Sequence, residues 1–213
     1  LTLASLDRVS LFRGAHLVLE RSTWSIRRGE RSALCGANGA GKSSFLRLLA
    51  GLELPSSGEV LAARPVGYLP QSYGDSIFPW FSVLKNVAMP LLAARREDAD
   101  VVASRLCRSL LPDIDPARPA GRLSGGEQQA MALARALASP GELVLLDEPF
   151  SALSVERTQL ARKVVERELG ARALILVSHD VGDASALCST AFRLGGGGLE
   201  RSPLDHRAQS AAE

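Results

Sequence analysis

The chain has 213 residues, 46% hydrophobic and 23% charged, with a formal net charge of +2. That balance fits one globular domain whose core needs neither disulfides nor a structural metal. No bilayer-spanning segment is expected, because no apolar run approaches ~18–20 residues, and no signal peptide, because Asp7 and Arg8 interrupt the N-terminal stretch.

The 25 basic residues, only three of them lysines, are scattered along the chain, so no nucleic-acid partner is expected. Cys35, Cys107 and Cys188 form no CxxC pair and read as reduced core cysteines of a cytosolic protein. Short β-like runs are expected around Thr2–Leu6, Leu17–Leu19, Thr23–Ile26 and Arg31–Cys35. A glycine-rich segment follows, then a helical pattern carrying Phe45, Leu46, Leu48 and Leu49 that Gly51 stops. Two strands are predicted near Glu59–Leu61 and Val66–Leu69.

From about Ser72 the period becomes helical. Ser82 can cap a helix carrying Val83, Leu84, Val87 and Ala88, with Pro90 near its end. A second helix is expected from Arg96 to Leu111 and a third from about Ser124, with Pro112, Pro116 and Pro119 in the loop between. Leu143–Leu146 is wholly apolar, as in a buried parallel strand. A helix over Val155–Leu169, a strand over Ala173–Val177 and a helix over Val181–Leu187 complete an α/β alternation. The expected organisation is one domain over 1–213. Residues 1–71 and 139–199 form the core, 72–138 a helical subdomain, and 200–213 a tail beyond four glycines with little periodicity.

The strongest motif is Gly36-Ala37-Asn38-Gly39-Ala40-Gly41-Lys42-Ser43-Ser44, a match to GxxxxGK[ST] between an apolar strand and a helix. A phosphate chain needs a ring of inward-pointing backbone N–H groups, and glycines let a loop curl around it. The helix start adds its positive end. Lys42 supplies a mobile cation for the β- and γ-phosphates, and the Ser43 hydroxyl can ligate Mg²⁺. ATP and Mg²⁺ are therefore the expected ligands.

Leu143-Val144-Leu145-Leu146-Asp147-Glu148 is the second signal. Its carboxylates emerge at the sheet edge where ligands bind in open α/β folds. Asp147 is expected to hold Mg²⁺, and Glu148 to orient or deprotonate the attacking water.

Leu123-Ser124-Gly125-Gly126-Glu127-Gln128-Gln129 offers a second anion site, a serine hydroxyl and two glycine amides at a helix start. This segment resembles the signature of ABC ATPases, and the resemblance extends from about Leu3 to Leu199. It implies an α/β P-loop NTPase core with an N-terminal antiparallel β region and an inserted helical subdomain. It further implies that the signature binds the γ-phosphate held by the opposite subunit of a homodimer or heterodimer. By the same resemblance Gln71 contacts Mg²⁺ and senses a membrane partner, and His179, 31 residues after Glu148, is the switch histidine.

The stretch from Ser76 to Val87 resembles the nitrate/sulfonate/taurine-type importer ATPases, and Phe150-Ser151-Ala152-Leu153 is similarly importer-like. The implied system is a bacterial importer of a small solute such as an organic or inorganic anion. Its integral-membrane permease docks near Phe78, Trp80 and Phe81, a solute-binding protein completes it, and the ATPase is peripheral on the cytoplasmic face. The alternatives are a soluble ABC ATPase uncoupled from transport and a nucleotide-binding regulatory protein with little turnover.

Three positions depart from the family pattern. Ser154 stands where an aspartate is usual, and Ala130 where many members have arginine. Arg13 occupies the position of the aromatic residue that stacks on adenine, with Phe12 one residue earlier. Either of those two could cover a purine face.

Overall fold

A computed structural model of the chain describes residues 1–202 and Leu204. Strands β1 (Thr2–Arg13), β2 (His16–Arg27) and β4 (Ser57–Ala62) form an antiparallel sheet in the order β2-β1-β4. A second, six-stranded sheet has the order β5-β6-β7-β3-β8-β9. It comprises β5 (Val66–Leu69), β6 (Leu143–Asp147), β7 (Ala173–Val177), β3 (Arg31–Cys35), β8 (Thr190–Gly195) and β9 (Gly198–Ser202). Its first five strands run parallel, and β9 returns antiparallel to β8.

The alternation along β6 and β7 explains the layering. Leu143 and Leu145, with Ala173, Ile175 and Val177, join a core with the antiparallel sheet and helix α1 (Lys42–Ala50). Trp24 anchors that core edge-on against Phe45 at 5.2 Å and Phe192 at 5.7 Å. Val144 and Leu146, with Leu174 and Leu176, face the other way. There they pack against α2 (Val83–Ala93), α3 (Ala99–Leu110), α4 (Gly125–Ala138) and α5 (Val155–Leu169). The period of two thus divides one sheet between two cores. The helices share their core with the sheet.

Local chemistry sets the helix starts. Ser82, Ser124 and Ser154 each accept a hydrogen bond from the backbone N–H three residues on, capping α2, α4 and α5. Asp180 caps α6 (Val181–Leu187) through the Gly182 N–H. Pro90 sits inside α2, which runs on to Ala93.

Two features differ from expectation. The short N-terminal runs merge into two twelve-residue strands joined by a tight turn at Gly14-Ala15, with bulges that break the alternation. The glycine run is a hairpin. Gly196 and Gly197 have φ of 57° and 80°, the two positive values a two-residue primed turn requires between β8 and β9. Residues 200–202 of the expected tail belong to β9, while 203 and 205–213 lie outside the described residues.

Candidate functional site

Strands β3, β5, β6 and β7 are parallel neighbours, so their carboxyl ends share one edge of the sheet. β3 runs into the glycine loop, β5 leads to Gln71, β6 ends at Asp147-Glu148 and β7 at Ser178-His179. A cavity of about 420 Å³ opens there, lined by Arg13, Asn38, Gly39, Gly41, Lys42, Ser43, Ser44, Gln71, Asp147, Glu148, Val177 and His179.

The glycine loop is shaped by close contacts. Gly41 has φ 98°, and a Cβ there would fall 2.3 Å from Val18 Cγ1; at Gly36, φ 149°, it would fall 2.4 Å from the Leu194 carbonyl oxygen. Lys42 Nζ donates to the carbonyls of Gly36 (2.8 Å) and Ala37 (3.1 Å), which holds its ammonium over the loop. Burial lowers the Lys42 pKa, opposed by the carboxylates of Glu148 and Asp147.

Asp147 is 2% exposed. Burial pushes its carboxyl above the usual range, against the Ser43 hydroxyl, Lys42 and the Gln71 backbone, which act in the other direction. Its Oδ2 is buried without a hydrogen-bond partner. An orphaned carboxylate oxygen beside a serine hydroxyl suits a hard, oxygen-seeking cation such as Mg²⁺. Among the described residues no cluster of three His, Cys, Asp or Glu side chains is assembled.

Glu148 has φ 52°, a left-handed conformation that costs a non-glycine residue about 1–3 kcal/mol and persists only when its surroundings enforce it. Its N–H donates to the Val177 carbonyl at 2.9 Å. Its carbonyl accepts from Gln129 Nε2 at 2.9 Å and from Ser151 Oγ at 3.2 Å. Oε2 accepts from the His179 N–H at 3.4 Å, and Oε1 lies 3.4 Å from His179 Nε2 without hydrogen-bond alignment. Burial raises the Glu148 pKa, with His179 opposing.

The His179 segment is tethered to α5. Arg162 Nε donates to Asp183 Oδ1 at 2.6 Å and its NH2 to Asp180 Oδ2 at 3.1 Å. Asp180 N donates to Ser178 Oγ at 3.1 Å.

No signature residue lines this cavity. Ser124 and Glu127 instead form a reciprocal capping box at the start of α4. Gly126 permits a close approach, since a Cβ there would lie 2.8 Å from the Ala152 carbonyl. Tyr73 OH donates to the Gly125 carbonyl at 3.2 Å, linking the segment after Gln71 to the same helix start. The two adjacent candidates on β1, next to the register shift between Leu11 and Phe12, border different pockets. Arg13 lines the cavity, whereas Phe12 borders a separate surface pocket with Asp7, Arg21 and Glu59.

Sequence patterns included Gln129 and Ser151 only as members of longer motifs, with no role of their own, and missed Arg162 and Asp183. The available signal was a glutamine within α4, a helix buried on almost every side.

A family model described as ABC transporter matches residues 19–151. The chain is 37% identical over 195 residues to an aliphatic sulfonates import ATP-binding protein of Corynebacterium glutamicum, covering 89% of this chain and 79% of that protein. It is 43% identical over 179 residues to the protein of that name in Cupriavidus pinatubonensis, covering 80% of this chain and 58% of the relative. It is 37% identical over 203 residues to a spermidine/putrescine import ATP-binding protein of Methylococcus capsulatus, with 87% and 52% covered. The chain thus spans little more than half the length of several curated relatives it matches. Among solved structures, a dimeric post-hydrolysis ATP-binding cassette bound to ADP and Pi superposes with a TM-score of 0.84 at 24% identity, over 95% of this chain and 99% of that one. An ATP-binding subunit of an ABC transporter gives 0.84 at 22%, over 95% and 90%. Both share the fold.

Proposed function

The chain belongs to the ABC transporter family, and on that premise we propose that it is the ATP-hydrolysing subunit of a bacterial importer of a small solute. The observation that carries this reading is the gathering of Lys42, Ser43, Gln71, Asp147, Glu148 and His179 around one cavity at the carboxyl edge of the sheet.

In this reading the amides of 36–44 and Lys42 cradle the phosphates, and Glu148 draws a proton from the water that attacks the γ-phosphorus. His179, beside Glu148, contacts the γ-phosphate. Ser43 and Asp147, with Gln71 nearby, are suited to hold Mg²⁺, which when bound neutralises charge developing on the phosphate oxygens. Arg13, which lines the cavity, covers the purine by guanidinium stacking in this reading, with Phe12 the alternative. The signature at 123–127 serves the γ-phosphate of a second ATPase subunit, identical or related, so two ATPs bind between two chains.

Importer function is favoured by the relatives' names, which all denote import, and an organic or inorganic anion by the two sulfonate proteins. Among the described residues no helix is long and apolar enough to cross a membrane. On the family reading, the membrane path belongs to permease subunits, with this chain peripheral on their cytoplasmic face and a solute-binding protein completing the system. Their docking surface is the groove of about 470 Å³ bordered by Leu52, Tyr68, Phe78, Met89, Pro90 and Arg135, together with the aromatic turn at Phe78, Trp80 and Phe81.

The test is phosphate release from Mg²⁺-ATP by the isolated chain and by the chain reconstituted with its permease. Hydrolysis that the permease modulates supports the proposal. Nucleotide binding without turnover in either form would favour the regulatory alternative.

A further inference from the structure

We infer that Gln129 is a positioning residue for Glu148, through which the signature helix holds the hydrolytic carboxylate in its working pose; this rests on Glu148 being the base. Gln129 is 1% exposed and lies on the second turn of α4, whose N-cap is the signature serine. Its Oε1 accepts from the Ala152 N–H at 2.7 Å. Its Nε2 donates to the Glu148 carbonyl at 2.9 Å and to Ser151 Oγ at 3.0 Å. The orientation of the amide is fixed by chemistry, because the Ala152 N–H can only donate and the Glu148 carbonyl can only accept.

Glu148 therefore has two backbone anchors. Its N–H is tied to β7 through Val177, and its carbonyl to α4 through Gln129. Ser151 closes the ring by donating to the same carbonyl. A left-handed glutamate persists only where its surroundings over-determine it, and Gln129 supplies the anchor that comes from the helical layer. The close approach of Gly126 to the Ala152 carbonyl is a second tie between α4 and this turn. A shift of α4 at the signature would accordingly carry residues 148–152 with it. Nothing in the chemistry of phosphate binding requires a glutamine at 129. Its partners are all on the turn that carries the base.

The decisive variant is Gln129→Glu, which keeps the shape and the acceptor for Ala152 N–H but turns the donor into an acceptor facing two oxygens. In the full chain, kcat per folded molecule should fall about 10- to 100-fold, the range a displaced reactive group produces, while the ATP Kd stays within about threefold. A purely structural role would lower the melting temperature and leave kcat of the folded fraction unchanged, which overturns the inference. If Gln129→Glu does not fold, Ser151→Ala decides, since that side chain is exposed. A clear fall in kcat at constant Kd supports the inference, and parental kcat overturns it. Glu148→Gln is measured in parallel. Parental hydrolysis there would overturn the base assignment and the inference with it, whereas its loss together with parental kcat in Gln129→Glu overturns the inference alone.

Discussion

Lys42 holds a partly desolvated ammonium near two carboxylates, and its side chain packs no core. Lys42→Ala should therefore leave the fold intact and lose nucleotide affinity, since hydrogen bonds to charged groups contribute roughly 1.5–3 kcal/mol each. A titration of the folded variant that gave parental affinity would remove the loop from phosphate binding. Glu148→Gln keeps the geometry and removes the base. It should bind ATP normally, hydrolyse it about 10²–10⁴-fold more slowly, and elute as a dimer with ATP and Mg²⁺ but as a monomer without them. These residues were legible because each lies in a short contiguous motif whose chemistry dictates its spacing. Phe12 and Arg13 could not be separated in sequence, because the strand's facing, not the residue type, decides which side chain reaches the cavity. The contacts of Gln129 were hidden for a related reason: its partners lie 19 to 23 residues on and meet it only through packing.

The four strands that carry the site were readable element by element from their apolar runs, but their order was not, and the order assembles the site. The β8–β9 hairpin escaped because four consecutive glycines carry no periodicity, although two of them suit a primed turn. Ser154 illustrates how an element can absorb a departure. Serine and aspartate both cap helices, so α5 starts normally without the negative charge. Ser154→Ala should cost about 1 kcal/mol, whereas Ser154→Asp should melt close to the parent; an early-melting Ser154→Asp would mean the turn resists a carboxylate. Helices α3 and α5 are joined at Glu168, which pairs with Arg105 and, at 3.0 Å, with Arg167. Burial pushes the Glu168 carboxyl up, but the two guanidinium groups outweigh it and hold the pKa below the usual value. A depressed carboxylate stabilises the fold above its unfolded pKa, and that contribution is lost as pH falls through its folded pKa. Glu168→Gln should thus cost about 1 kcal/mol at neutral pH, both arginines being half-exposed. The difference in denaturant midpoint should shrink on acidification below about pH 4; a difference that persisted there would assign the effect to packing.

Across the whole molecule, the helical layer and the central sheet share one hydrophobic core, so a load on the helices reaches the strands that carry the site. The aromatic turn is where such a load can enter. Asn86, 0% exposed, braces it by accepting from the Phe78 N–H at 3.0 Å and donating to the carbonyls of Phe78 and Ser82, each at 3.0 Å. Phe78 and Phe81 are half-buried with ring centroids 5.6 Å apart, while Trp80 is 71% exposed. Arg135 donates to the Ser76 carbonyl, so α4 is bound to the segment leading into the turn. The three aromatics therefore divide their work. Trp80→Ala removes exposed area and should change stability by no more than about 0.5 kcal/mol, yet weaken co-purification with the permease and solute uptake while sparing basal ATP hydrolysis. Asn86→Ala strips the turn of its brace and takes the side-chain acceptor from the Phe78 N–H, at about 1–3 kcal/mol, so it should melt early and lose docking together. Phe78→Ala and Phe81→Ala should fall between these extremes. Thermal melts run beside permease co-purification separate the contributions. If Trp80→Ala retained full permease binding and uptake at parental stability, the aromatic turn would be a structural plug and docking would have to lie elsewhere along the groove.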